Sequence, residues 1–137
     1  MTATHPSTVL AFDFGLRNIG VATGQAVTHT ASELGIVRAR DGVPNWDTLD
    51  ALVREWRPDV LLVGLPLNMD DTLGDMADRA KRFATRLEAR YHLDVELVDE
   101  RLTSFEARGL SRDLDAQHAI AARLIAETYL RGLKKPE

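Results

Sequence analysis

The sequence predicts an α/β fold: a mixed five-stranded sheet, antiparallel at its start and parallel later, flanked by helices. Three observations predict it. The chain opens with three short apolar stretches separated only by turns, which is how an antiparallel meander reads. Two later apolar runs, 60–63 and 95–98, each follow a stretch with helical spacing. Parallel strands require such crossovers, because the chain must return to the edge it left. Finally, 137 residues with 45% hydrophobic and 28% charged side chains can bury a core without staples.

The elements follow in order. Residues 8–14, Thr-Val-Leu-Ala-Phe-Asp-Phe, read as a buried strand closed by Gly15. Residues 19–23 form the second strand and 33–37 the third. The stretch 41–44, Asp-Gly-Val-Pro, reads as a loop. Trp46, Leu49, Leu52, Val53 and Trp56 then fall on one helical face, and Pro58 ends that helix. Residues 60–63 are apolar without alternation, as in a central strand covered on both faces. Residues 64–68 make the loop beyond it. A long amphipathic helix over about 75–91 buries Met76, Ala80, Phe83, Leu87 and Tyr91. Arg79, Arg82, Arg86 and Arg90 sit near its outer faces and read as a solvated surface rather than a groove reader. Strand 95–98 runs into Asp99, Glu100 and Arg101. Thr103 and Glu106 have capping-box spacing for a short helix, and 116–130 is the last helix. A single domain over 1–137 is expected, with 1–7 and 132–137 as flexible ends.

Several function classes are excluded at this level. With no cysteine there is no disulfide scaffold, thiolate zinc site or cysteine nucleophile. The N-terminal residues lack the pattern of a signal peptide, and no apolar run approaches the roughly 20 residues that span a bilayer. The expectation is a soluble, cytoplasmic protein with no membrane partner. The net charge of −4 does not point to nucleic acid, so any phosphate-binding surface must be local or built from metal ions.

Two acids stand out. Asp13 interrupts an apolar strand, where a carboxylate is costly to bury unless it is paired or binds a cation. Glu100 ends a second strand, and its neighbour Asp99 faces the other way by alternation. Taken singly, Asp13 reads equally as an acid satisfied by backbone amides, and Glu100 as a solvated turn residue. Carboxylates at the ends of neighbouring strands can also converge on a divalent cation, Mg²⁺ or Mn²⁺ by their oxygen ligands. A cation pair so held can activate water and stabilise the leaving oxygen in phosphodiester hydrolysis.

Four segments resemble one family. They are 12–22 (Phe-Asp-Phe-Gly-Leu-Arg-Asn-Ile-Gly-Val-Ala), 63–72 (Val-Gly-Leu-Pro-Leu-Asn-Met-Asp-Asp-Thr), 99–104 (Asp-Glu-Arg-Leu-Thr-Ser) and the small-residue run from 119 to 130. In this order they resemble the YqgF/RuvX family, Holliday-junction-resolvase-like nucleases linked to maturation of the 5′ end of pre-16S ribosomal RNA. The resemblance covers about residues 8–131. It implies an RNase H-like fold and Asp13 and Glu100 as metal-binding carboxylates. It also implies a metal-dependent nuclease with nucleic acid as partner, RNA favoured and DNA possible, and a role near ribosomal precursor particles. A Holliday junction resolvase is the alternative; cutting two strands needs two sites, and the sequence leaves the oligomeric state open.

Other residues have softer roles. Gly15 and Gly20 allow tight backbone geometry beside Asp13. Arg17 and Arg101 flank the two acids and are candidates for phosphate contact, as is Asn68, which reads more readily as a turn former. His29 and His92 read as surface residues. The chain departs from the family pattern near the last helix, where an acid is expected and His118 stands; Asp115 lies one turn earlier. One of these two is expected to complete the metal site, with Asp115 preferred and His118 beside it. Their bland readings are an N-cap for Asp115 and a backbone-bonded core histidine for His118. If His118 is the ligand, activity should fall below roughly pH 6.5. Two rival classes remain: an ATP-binding actin/sugar-kinase domain, whose first phosphate loop 13–22 resembles, and a non-catalytic RNA- or ribosome-binding module with a decayed site.

Overall fold

The computed structural model describes residues 8–65, 75–99 and 113–132. Its strands are β1 (Thr8–Asp13), β2 (Asn18–Gln25), β3 (Thr30–Arg40), β4 (Val43–Pro44), β5 (Val60–Leu65) and β6 (Asp94–Asp99). Its helices are α1 (Trp46–Trp56), α2 (Asp75–Tyr91) and α3 (Leu114–Gly132). The sheet order is β4-β3-β2-β1-β5-β6. β1, β2, β3 and β4 pair antiparallel, whereas β5 adds parallel to β1 and β6 parallel to β5. Among the described residues the mixed sheet therefore has six strands rather than five. The extra strand is Val43–Pro44, expected as loop; it pairs with Ala39 and Arg40 at the sheet edge, where a proline is tolerated.

β1 is the central strand because both its faces are apolar. Leu10 and Phe12 point to a core shared with Val63, Leu49, Phe83 and Leu87, under α1 and α2. Val9 and Ala11 point the other way, into a core with Leu62, Ile125 and Ala126 under α3. Alternation along one strand thus builds both layers of an α/β/α sandwich. Phe83 seals the first core with its ring edge-on to Phe12 at 5.8 Å and tilted against Phe14 at 5.3 Å. Of the expected stripe of α2, Ala80, Phe83 and Leu87 are buried, joined by Ala77 and Ala84, while Met76 and Tyr91 pack against the core only partly buried.

Local chemistry sets the ends of the elements. Asn45 caps α1 by accepting from Thr48 N at 3.3 Å, and Arg57 closes it in the left-handed region just before Pro58. β3 runs longer than the expected 33–37 and carries a bulge opposite Val21 and Ala22, where Gly35 takes φ +127°. α2 is tied to α1 through Arg90, which donates to both carboxylate oxygens of Asp50 at 2.8 and 2.7 Å and lies over the Trp46 ring. Tyr91 Oη donates to the same carboxylate at 2.6 Å. These bonds hold the Asp50 carboxyl well below the usual carboxylate range, Arg90 contributing most. Burial, then the Asp50 bond, raises the Tyr91 phenol. His29 and His92 are exposed, as expected. No helix among the described residues is long and apolar enough to cross a membrane.

Candidate active site

Asp13 is the last residue of β1, and alternation after Val9 and Ala11 turns its side chain toward α3. It is buried, with 7% of its surface exposed. Its antiparallel partner across the ladder is Gly20. A Cβ at position 20 would lie 1.9 Å from the His118 carbonyl oxygen and 2.3 Å from its carbonyl carbon. Only glycine lets the start of α3 rest on β2 at this point. At Gly24 the room is taken by side chains instead: a Cβ there would meet Val9 Cγ2 at 2.9 Å and Leu130 Cδ1 at 3.1 Å. The approach delivers the His118 ring to Asp13, with Nδ1 to Oδ2 at 2.9 Å. An ionised carboxylate can only accept, so in that state the hydrogen is on Nδ1. The neutral imidazole then keeps Nε2 as an acceptor. Gly15 is needed for a related reason: a Cβ there would meet the Asn18 carbonyl oxygen at 2.3 Å, so the tight turn after Asp13 has no room for one.

Asp115 goes elsewhere. Its carboxylate accepts from Arg38 at 3.2 Å, and Arg38 also donates to Asn18 Oδ1 at 2.5 Å. Nor does Asp115 cap the helix. α3 begins at Leu114, two residues before the expected start, so the cap is Asp113, whose Oδ1 accepts from Asp115 N at 2.9 Å and Ala116 N at 3.3 Å. His118 meets a carboxylate rather than the backbone group expected of a core histidine. Among the described residues no three acids or histidines cluster as a metal site. Asp13 and His118 come together and Asp115 pairs with Arg38. Arg17 is exposed in the turn between β1 and β2, its carbonyl accepting from Ala39 N at 2.8 Å. Glu100, Asn68 and Arg101 lie outside the described residues, as do Thr103 and Glu106.

One expectation about position needs correction. The strands carrying Asp13 and leading to Glu100 are not adjacent, because β5 lies between β1 and β6. The crossover through α1 places β5 against β1, and α2 then adds β6 outside it. All three run the same way, so Asp13 and Asp99 end strands at one edge of the sheet. On the α3 face of β5 the residue following Val60 and Leu62 in the alternation is Gly64, which has no side chain. β6 keeps Val98 on this face, packed beside Tyr129. The Tyr129 phenol is pushed up to about 12, by burial first and then by the Glu96 carboxylate.

A family model described as "RuvX: Holliday junction resolvase" matches residues 7–132. The chain belongs to the RuvX family. It is 52% identical over 132 residues to a protein of Marinobacter nauticus named "Putative pre-16S rRNA nuclease", covering 90% of this chain and 92% of that one. A protein of the same name from Azotobacter vinelandii is 56% identical over 136 residues, covering 91% and 94%. Among solved structures, the yeast mitochondrial Holliday junction resolvase Ydc2 superposes with a TM-score of 0.56 at 11% identity, covering 95% of this chain and 80% of that one. The Thermus thermophilus RuvC bound to a Holliday junction substrate gives 0.54 at 15%, covering 91% and 96%. At such identities these two structures establish the fold, which is RNase H-like. RuvX membership also decides between the two families that residues 13–22 resemble.

Sequence reasoning missed two features. The Asn18–Arg38–Asp115 chain has no local signature, because it joins three separate elements. The Asp113 cap had one: an acid immediately before the apolar Leu114 is an N-terminus signal.

Proposed function

We propose that this protein is a metal-dependent nuclease that hydrolyses nucleic-acid phosphodiesters, with the 5′ end of pre-16S ribosomal RNA as its substrate. The observation that carries the reading is the buried Asp13 carboxylate at a strand end, held by His118, in a chain of the RuvX family. The names of its relatives support the RNA substrate.

The residues fit a divalent cation. An acid kept almost out of solvent at a strand end favours a compensating charge, and oxygen ligands suit Mg²⁺ or Mn²⁺. In this reading Asp13 is one ligand and Glu100, the residue that follows β6 in the sequence, is the other. The bound cation would supply activation of water and stabilisation of the leaving oxygen. His118 fixes the orientation of the Asp13 carboxylate and leaves Nε2 facing away from that bond. The His118–Asp13 bond, and the pairing of Asp115 with Arg38, support His118 over Asp115 as the residue beside the cation, the reverse of the order of preference drawn from sequence. Arg17, exposed in the turn just beyond Asp13, and Asn68 and Arg101 are the proposed phosphate contacts. One RNase H-like domain carries the activity, in the cytoplasm, on ribosomal precursor particles.

The family description and the junction-bound RuvC favour four-way DNA as the second substrate to try. The test is a panel of a pre-16S leader transcript, an unrelated single-stranded RNA and a four-way DNA junction, each with Mg²⁺ or Mn²⁺. Preferential cleavage of the leader transcript is expected. Cleavage of the junction alone would replace the RNA reading. Tight RNA binding with no cleavage under any condition would leave a binding module.

A further inference from the structure

We propose that a cleft on the α2 side of the sheet, centred on Arg82 and Arg86, binds a backbone phosphate of the nucleic-acid strand flanking the Asp13 site. The ligand class rests on the nuclease reading above. The cleft, about 70 Å³, is lined by Phe14, Phe83, Asp41 and the three arginines Arg79, Arg82 and Arg86. Phe14 follows Asp13 directly but belongs to the opposite core, with Phe12 and Phe83. The cleft therefore opens at the edge of the sheet where Asp13 ends β1, on the other face.

The charges along α2 single out its middle. Arg79, at the near end, is compensated by Asp75 at 3.1 Å and Asp41 at 3.3 Å. Arg90, at the far end, is held by Asp50 at 2.7 Å. Arg82 and Arg86 between them are exposed and form no hydrogen bond or ion pair among the described residues. They stand four residues apart, where like charges on a helix repel. Asp41 is the acid lining the cleft, and Arg79 already engages it. A net charge of −4 makes two adjacent uncompensated arginines a local exception.

The cleft's shape narrows the ligand. Phe14 and Phe83 are 6% and 2% exposed, so they form a floor and offer no face on which a base could stack. Beside Asp41, which Arg79 engages, the cleft offers guanidinium groups, which match phosphate oxygens in planar, bidentate fashion. Such a site follows the backbone without reading sequence. A free nucleotide would find its phosphate held and its base unsupported. A strand anchored elsewhere, at the Asp13 site, has no such need.

The test measures binding without cleavage. Fluorescence anisotropy of a labelled single-stranded RNA in EDTA is followed over a range of salt for three proteins. These are the parent, the Arg82→Gln/Arg86→Gln variant, and a charge-matched Arg54→Gln/Arg131→Gln variant. Arg54 and Arg131 lie in the last turns of α1 and α3, at the opposite edge of the sheet. Each lost phosphate contact on a single strand removes roughly 0.7 from the slope of log K against log salt. The first variant should therefore be shallower by about 1.4, and about 25-fold weaker near 0.1 M salt. The control should follow the parent. An equal change in both variants, no change in either, or no RNA binding by the parent would overturn the proposal. The nuclease reading is judged separately, by cleavage. Cleaving protein whose affinity ignores Arg82 and Arg86 refutes only the cleft, whereas a changed slope without cleavage refutes only the nuclease.

Discussion

Replacing Gly20 by alanine should damage the fold and the site together. The added Cβ would sit 1.9 Å from the His118 carbonyl oxygen, 2.3 Å from its carbon and 2.9 Å from Ala119 N. All three are backbone atoms, so no side chain can swing aside. Bringing the closest contact out to 3.0 Å requires a shift of 3.0 − 1.9 = 1.1 Å between β2 and the start of α3. Overpacking of a tight core costs about 1–3 kcal/mol, and a backbone clash belongs at or above the top of that range. For a domain this size that is a loss of roughly 10 °C in Tm. A shift of this size would also stretch the 2.9 Å His118–Asp13 bond beyond hydrogen-bonding distance. The assay is a thermal melt followed by circular dichroism, with Gly132→Ala as control, because a Cβ there meets nothing within 4 Å. Gly20→Ala melting with the parent protein would refute the claim that glycine sets the approach of α3.

Other outcomes follow from the same geometry. Phe83→Ala should cost about 3–5 kcal/mol in denaturant unfolding, since it empties the space between Phe12, Phe14 and α2. The depressed pKa of Asp50 means that its bonds to Arg90 and Tyr91 stabilise the fold above the unfolded carboxylate range and lose that effect as pH falls toward the folded value. The stability gap between parent and Asp50→Asn should therefore shrink steadily on acidification below about pH 4; a gap independent of pH would contradict it. His118→Ala should lower cleavage about 10- to 100-fold while leaving the fold intact, as for a residue that orients a metal-binding carboxylate. Undiminished cleavage would remove His118 from the site.

Much of this was legible in the sequence because the relevant signals are local. Apolar runs 8–14 and 60–63, the stripe of α2 and the end of α1 before Pro58 each depend on spacing within one element, and each corresponds to an element of the structure, although β1 stops at Asp13 and β5 runs on through Gly64 and Leu65, which were expected as loop. β4 escaped because two residues, one of them proline, carry no periodicity. Its existence depends on Ala39 and Arg40 across the turn. Asp13 was legible as an anomaly, an acid where alternation demanded an apolar side chain. His118 was legible as a candidate for the same site from the family pattern, but its bond to Asp13 was not, since His118 lies 105 residues away and reaches Asp13 only because Gly20 lacks a side chain. The same distance explains the preference for Asp115. By helical spacing, residues 115 and 118 share a face, and only the packed position of α3 separates one toward Arg38 and the other toward Asp13. The order of strands at the edge was misjudged because strand adjacency is a property of the crossovers, which composition does not encode.

The central claim is that the Asp13 carboxylate carries the chemistry. Its most direct test is the rate of cleavage of a pre-16S leader transcript by the parent protein and by Asp13→Asn, with Mg²⁺ and with Mn²⁺. Asparagine keeps the shape and an oxygen that can accept from His118 Nδ1, and removes only the charge. A melt on the same sample establishes that the variant is folded. The account predicts metal-dependent cleavage by the parent and a fall of several orders of magnitude in the folded variant. Cleavage by folded Asp13→Asn at the parent's rate would contradict it.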